Sequence, residues 1–228
     1  MNRRLFIQNL TAGAASVLLY RQLSAATAPD LPKVLLLGDS ISIGYTPFVK
    51  EILEGRAQVF RPVQPDGNPE NCSGTTNGVK HIDRWLGDTQ WDVIHFNFGL
   101  HDIKHVDPVT GKDSGKAGDP LQAELKQYMA NMKYIVGRLK KTGAKLIFAT
   151  TTPVPEGKVS PLREPENVVK FNNAAAKWMK RKKVAVNDLY AFAVPILSEI
   201  QRPQNVHFTD SGSETLGKEV ARHILRYL

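Results

Sequence analysis

The sequence predicts an α/β fold: a three-layer αβα sandwich built on a five-stranded parallel sheet. Three observations carry that expectation. Short runs rich in Val, Ile, Leu and Phe alternate with longer segments of helical apolar spacing, from Lys33 to the C-terminus. The runs are continuously apolar, the texture of strands buried on both faces. A length of 228 residues is enough for one well-buried domain and too short for two comfortable ones.

The first strand is expected at residues 33–37, where apolar residues run into Gly38-Asp39-Ser40. The glycine lets the chain turn sharply into a helix, expected near 47–53. A second strand at 57–60 leads to a loop rich in Pro, Gly and Asn over 62–77, which holds Cys72 and Gly74. Helical spacing over 79–86 precedes a third strand at 92–98 and a polar loop over 99–118. Asp119-Pro120 has the form of a helix start, a cap with proline at the first position, so a long helix is expected from Leu121 through Leu139, ending at Gly143. Residues 145–149 form the fourth strand. A proline-rich loop follows, then a helix near 166–182 and a short fifth strand at 184–186. A helical stretch over 189–200, a loop carrying His207 and a last helix over about 213–227 complete the chain. Right-handed crossovers then cover both faces with helices. Every strand's carboxyl end falls on one edge, where open α/β sheets bind ligands.

Residues 1–28 read as an export signal of the twin-arginine type, leaving 29–228 as the working domain. Arg3-Arg4 precedes apolar residues, and 10–20 supply an apolar core too short to cross a bilayer stably. Ser24-Ala25-Ala26 and Ala26-Thr27-Ala28 are both small-x-small cleavage sites, and Pro29 directly after the second favours the first. The expected location is the periplasm or the medium. The formal charge of +8 shrinks on processing, because the segment holds three arginines and no acids. Lys140-Lys141 and Lys180-Arg181-Lys182-Lys183 sit at predicted helix ends, where cations meet the helix dipole, so no nucleic-acid partner is expected. Cys72 is the only cysteine, which excludes an internal disulfide.

Ser40 stands at the sheet edge as a candidate nucleophile. A serine hydroxyl is inert at its own pKa and needs a base. His207, in Asn205-Val206-His207-Phe208-Thr209-Asp210, comes from a comparable loop at a helix entrance. Taken alone, Gly-Asp-Ser is equally a strand-to-helix turn with a serine cap, and Asp39 is expected to fix that turn by hydrogen bonds. His95, His101, Asp102, His105 and Asp107 crowd one stretch. A metal site needs ligands that converge, and His95 lies mid-strand while His105 and Asp107 fall in the loop, so neither metal nor other cofactor is expected. Asp102 reads as a carboxylate that orders its loop.

With these residues in order, the chain resembles the SGNH, or GDSL, hydrolases, esterases marked by four short blocks, from about Lys33 to the C-terminus. The first block matches at Gly38, Asp39 and Ser40. The second block's glycine matches Gly74 in Ser73-Gly74-Thr75-Thr76, with Gly78 a competitor. The third, usually Gly-x-Asn-Asp, is Gly99-Leu100-His101-Asp102, which puts His101 in the place of the oxyanion-binding asparagine. The fourth, usually Asp-x-x-His, keeps His207 but has Gln204 where the acid belongs.

The resemblance implies the flavodoxin-like strand order 2-1-3-4-5. It also implies acyl transfer with Ser40 as nucleophile, His207 as base, and an oxyanion hole from the Ser40 and Gly74 N–H groups and His101. A neutral imidazole donates one hydrogen bond, as asparagine does. The missing acid leaves Gln204, Asn205 or a backbone carbonyl to orient His207, with Asp188, after the fifth strand, as an acid from another loop. By analogy with exported relatives, the expected reaction removes acetyl or another short acyl group from a small-molecule or polysaccharide ester. A lysophospholipase or thioesterase would want an apolar entrance, and the 99–118 loop is polar. A noncatalytic glycan-binding relic of the fold and a metal-dependent hydrolase built on the histidine-rich loop are the competing classes.

Overall fold

Strand β1 (Lys33–Leu37) is buried from Val34 onward and pairs in parallel on both sides, as its unbroken apolar run requires. The computed structural model describes residues 30–155 and 159–228. The export segment at 1–28 lies outside the described residues. With β2 (Gln58–Phe60), β3 (Val93–Phe96), β4 (Lys145–Ala149) and β5 (Ala185–Asn187), β1 forms one five-stranded parallel sheet in the order β2-β1-β3-β4-β5. Leu35 sits opposite Ile94, and Ile94 opposite Leu146, so the three central strands stack their apolar residues in rows.

The helices are α1 (Ser40–Ile52), α2 (Thr75–Leu86), α3 (Leu125–Lys140), α4 (Pro165–Arg181), α5 (Leu189–Ala193), α6 (Leu197–Ile200) and α7 (Asp210–Ile224), with a 3-10 turn at Val194–Ile196 before α6. α1 packs on α7, and α2, α3 and α4 pack in sequence. Right-handed crossovers put these two groups on opposite faces of the sheet. The core is continuous across the layers; Phe96 and Phe148 meet at 5.7 Å between ring centroids, and Tyr128 and Phe171 at 4.9 Å. Among the described residues, no helix is long and apolar enough to cross a membrane.

Four helix starts differ from the sequence expectation, α2 among them, which begins at Thr75 and not at Val79. α1 begins at Ser40, and Pro47 lies inside it. Asp39 is its cap: the carboxylate accepts from the Ile41 N–H at 3.0 Å. α3 begins at Leu125, and Asp119-Pro120 does not start it. Loop contacts claim the 119–123 segment instead. The Asp119 carboxylate takes the Ser114 hydroxyl, the Pro120 carbonyl accepts from Val106 N–H at 2.9 Å, and Ala123 N–H donates to the Asp102 carbonyl at 3.0 Å. α7 starts slightly early, at Asp210, because Thr209 Oγ1 accepts from Gly212 N–H at 3.0 Å.

Candidate active site

The carboxyl end of β1 builds the first part of the site. At Gly38 a Cβ would lie 2.8 Å from Ser42 Cβ, so only glycine allows the strand to turn this tightly into α1. Asp39 is buried as the cap, and Ser40 opens the helix with its N–H ahead of any intrahelical acceptor. Behind the turn lies Arg61, a buried cation that no sequence pattern singles out. Its Nη1 donates to Thr46 Oγ1 at 2.9 Å and Ser42 Oγ at 3.3 Å, and its Nη2 to the carbonyls of Glu70 at 2.9 Å and Gly38 at 3.4 Å. The guanidinium thus ties the turn, the first turns of α1 and the 62–77 loop together. A lone arginine after a strand carries no sequence signal for such a place.

The loop between α6 and α7 supplies the base. His207 Nε2 lies 2.8 Å from Ser40 Oγ. Asn205 Oδ1 accepts from the His207 backbone N–H at 2.9 Å and meets His207 Nδ1 at 2.8 Å. The backbone N–H can only donate, so it is the amide oxygen of Asn205 that faces the histidine. Nδ1 therefore carries the proton, and Nε2 is left to accept from the Ser40 hydroxyl. Of the orienting groups left open by the sequence, Asn205 fills the role. Gln204 holds a left-handed backbone at φ 51° and lines the cleft without bonding to His207. Asp188 is not the missing acid: its carboxylate accepts from Thr150 Oγ1 at 2.9 Å and caps α5 through Ala191 N–H at 3.1 Å.

The oxyanion candidates separate. Gly78 is removed from consideration, because it sits inside α2, donates to the Gly74 carbonyl at 3.0 Å, and faces Ile135 and Phe98 in the core. Gly74 is the N-cap of α2, and its N–H makes no hydrogen bond among the described residues. It does not line the main cleft, however. A Cβ there would meet Gln122 Nε2 at 2.8 Å and Asp102 Oδ2 at 3.1 Å. Ser73 just before it is held at φ 56°, a left-handed conformation unusual for serine. His101 does line the cleft beside Ser40. Burial lowers its pKa, with the Arg163 and Lys104 cations adding to the effect against the opposing pull of Asp39. The imidazole is therefore neutral near pH 7 and offers one N–H.

Asp102 is fully buried, and its carboxylate accepts from the Thr75 N–H at 2.9 and 3.0 Å and from the Thr75 hydroxyl. It ties the 99–118 loop to the start of α2. Burial pushes its pKa up to about 7 against the opposing pull of the Thr75 donors.

Ser40, His101, Lys104, Arg163, Gln204 and His207 share one cleft of about 470 Å³. The remaining histidines of the crowded stretch point elsewhere. His95 is buried in β3 with Nε2 3.3 Å from Asn187 Nδ2, and burial takes its pKa down to about 3. His105 Nδ1 donates to the Asp119 carbonyl at 2.6 Å. Among the described residues, no group of three His, Cys, Asp or Glu side chains is placed to hold a metal ion.

Comparison with known proteins agrees with this fold. The sequence profile of the GDSL-like lipase/acylhydrolase family matches residues 36–215. A search of curated proteins finds no match. Among solved structures, a lipase/acylhydrolase from Enterococcus faecalis is similar with a TM-score of 0.66 at 19% identity, covering 85% of this chain and 95% of that one. An acetyl xylan esterase, AlAXEase, is similar with a TM-score of 0.65 at 15% identity, covering 84% and 99%. A lipolytic G-D-S-L protein from Veillonella parvula gives 0.60 at 15% identity, covering 85% and 98%.

Proposed function

The chain belongs to the GDSL-like lipase/acylhydrolase family and is an ester-bond hydrolase, and on that premise we propose that it is an exported serine esterase that removes acetyl or other short acyl groups from carbohydrate esters. The observation that carries the mechanism is the hydrogen-bonded line from Ser40 Oγ through His207 to Asn205, with both links at 2.8 Å. His207 Nε2 takes the hydroxyl proton as Ser40 Oγ attacks the ester carbonyl. The Ser40 N–H group and the His101 imidazole, which both border the cleft, receive the oxyanion. The imidazolium then returns its proton to the leaving alcohol. In the second half, His207 activates a water that hydrolyses the acyl-enzyme and frees the acid. Asn205 keeps the productive tautomer throughout, but its amide lacks the negative charge with which a carboxylate would stabilise the imidazolium.

The substrate reading is supported by the charged side chains of Lys104, Asp113 and Arg163 in the cleft wall, which they share with the apolar Leu100, Val159, Pro161 and Val206. The fold is shared with an acetyl xylan esterase, which is compatible with the same class. The proposal of export rests on Arg3-Arg4 and the short apolar segment that follows. The mechanism is tested with Ser40→Ala, assayed on 4-nitrophenyl acetate. A loss on the order of 10⁴-fold at unchanged thermal stability is expected. Equal rates in variant and wild type would remove Ser40 from the reaction.

A further inference from the structure

The cleft beside Ser40 contains a cation that the mechanism leaves unused. Arg163 precedes α4 and is only 5% exposed, yet it forms part of the cleft wall. Its Nε donates to the Leu100 carbonyl at 2.8 Å and its Nη1 to the Pro161 carbonyl at 3.2 Å. Nη2 has no hydrogen-bond partner among the described residues, and no carboxylate lies within ion-pair distance of the guanidinium among them. The nearby Lys104 differs, since its Nζ is matched by Asp113 at 2.5 Å. Asp113 at the rim is therefore already taken, and among the described residues no carboxylate is in ion-pair contact with the buried guanidinium, which feels Asp39 and Asp113 only at longer range.

A buried charge without an ion-pair partner is costly, and burial lowers the Arg163 pKa against the opposing pull of Asp39 and Asp113; a guanidinium nonetheless stays charged in proteins. Arginine's fork fits a planar carboxylate in particular. We propose that Arg163 is a specificity-determining residue that receives a carboxylate of the substrate, so that the preferred esters carry an acid group besides the ester being cleaved. The inference rests on the ester-hydrolase reading and narrows it to anionic substrates. A carboxylate can belong to the acyl side, as in a dicarboxylic half-ester, or to the alcohol side, as in an acetylated uronic acid. Two substrate pairs separate the sources. Mono-4-nitrophenyl adipate is compared with 4-nitrophenyl hexanoate, and an O-acetylated methyl glucuronoside with the O-acetylated methyl glucoside.

Wild-type kcat/KM should favour the acid in one pair by roughly 10-fold or more, the scale of a hydrogen bond to a charged group. The preference should shrink with added salt. Arg163→Gln should bring that ratio close to one, and Arg163→Lys should retain part of it. Because Arg163 also holds the Leu100 carbonyl next to His101, both substrates can slow together, so the ratio is the readout. Hydrolysis of 4-nitrophenyl acetate with no acid preference in either pair would overturn the assignment and leave the esterase reading standing. A preference that survives Arg163→Gln would overturn it as well. An inert wild type would sink the esterase reading instead. Calorimetric titration of Ser40→Ala with methyl glucuronoside and adipate then decides the site: weaker binding on adding Arg163→Gln supports it, and unchanged or undetectable binding overturns it.

Discussion

Replacing Asn205 by alanine isolates the least familiar part of the site. The side chain provides one oxygen that accepts twice from His207, at 2.9 Å from the backbone N–H and 2.8 Å from Nδ1. Asn205→Ala removes both bonds. At a net value of about 0.5–1.5 kcal/mol each, the lost restraint is about 1–3 kcal/mol. With 1.36 kcal/mol to a decade of rate, that converts to a kcat roughly 5- to 150-fold lower. The effect should fall well short of removing Ser40, because the nucleophile and the oxyanion donors remain. KM should hardly move, since Asn205 acts on the substrate only through His207. The companion Asn205→Asp supplies the negative charge that the site lacks, and it should keep at least wild-type kcat by stabilising the imidazolium formed in the transition state. Steady-state kinetics on 4-nitrophenyl acetate, with melting temperatures to verify folding, give the answer. A folded Asn205→Ala enzyme with kcat within twofold of wild type would refute the claim that this amide sets the histidine's tautomer.

His101→Ala should lower kcat by roughly 10²- to 10³-fold, the usual cost of one oxyanion donor, and His101→Asn should retain much of the activity; a folded alanine variant at full kcat would leave His101 a loop residue. Asp102 has a folded pKa of about 7 against 3.8 for a free carboxyl, so the folded state holds the extra proton and stability should fall as pH rises from about 4 to 7. Asp102→Asn should flatten that stretch of the melting-temperature profile, and an unchanged slope would show that another group titrates there. Changing Arg3 and Arg4 together to lysine should hold the precursor in the cytoplasm, as judged by fractionation; an undiminished exported yield would point to the general secretion route.

The architecture was legible in the sequence because burial on both faces leaves a composition signal. The apolar run into Gly38 marks β1 and its turn, and strand–helix alternation with right-handed crossovers forces a covered parallel sheet. Ser40 and His207 were legible for a related reason: both follow recognisable strand or helix-entry signals, and the fold needs only its sheet edge to bring such loops together. Helix starts were less secure. Asp119-Pro120 has every local feature of a helix start, but its carbonyls are held by His105 and Val106 and its capping carboxylate by the Ser114 hydroxyl, and tertiary hydrogen bonds outweigh a cap of about 1 kcal/mol. Asn205 meets His207 next to a left-handed backbone at Gln204 that no local pattern announces, and Asp188 is claimed by Thr150 and the cap of α5. Gly74 and Gly78 look alike in sequence, and only the packing of Phe98 and Ile135 places the second in the core. Arg61 and Arg163 owe their positions entirely to tertiary structure. A buried arginine and a solvated one have the same neighbours along the chain, and what distinguishes them is which carbonyls, far apart in sequence, fold around the guanidinium.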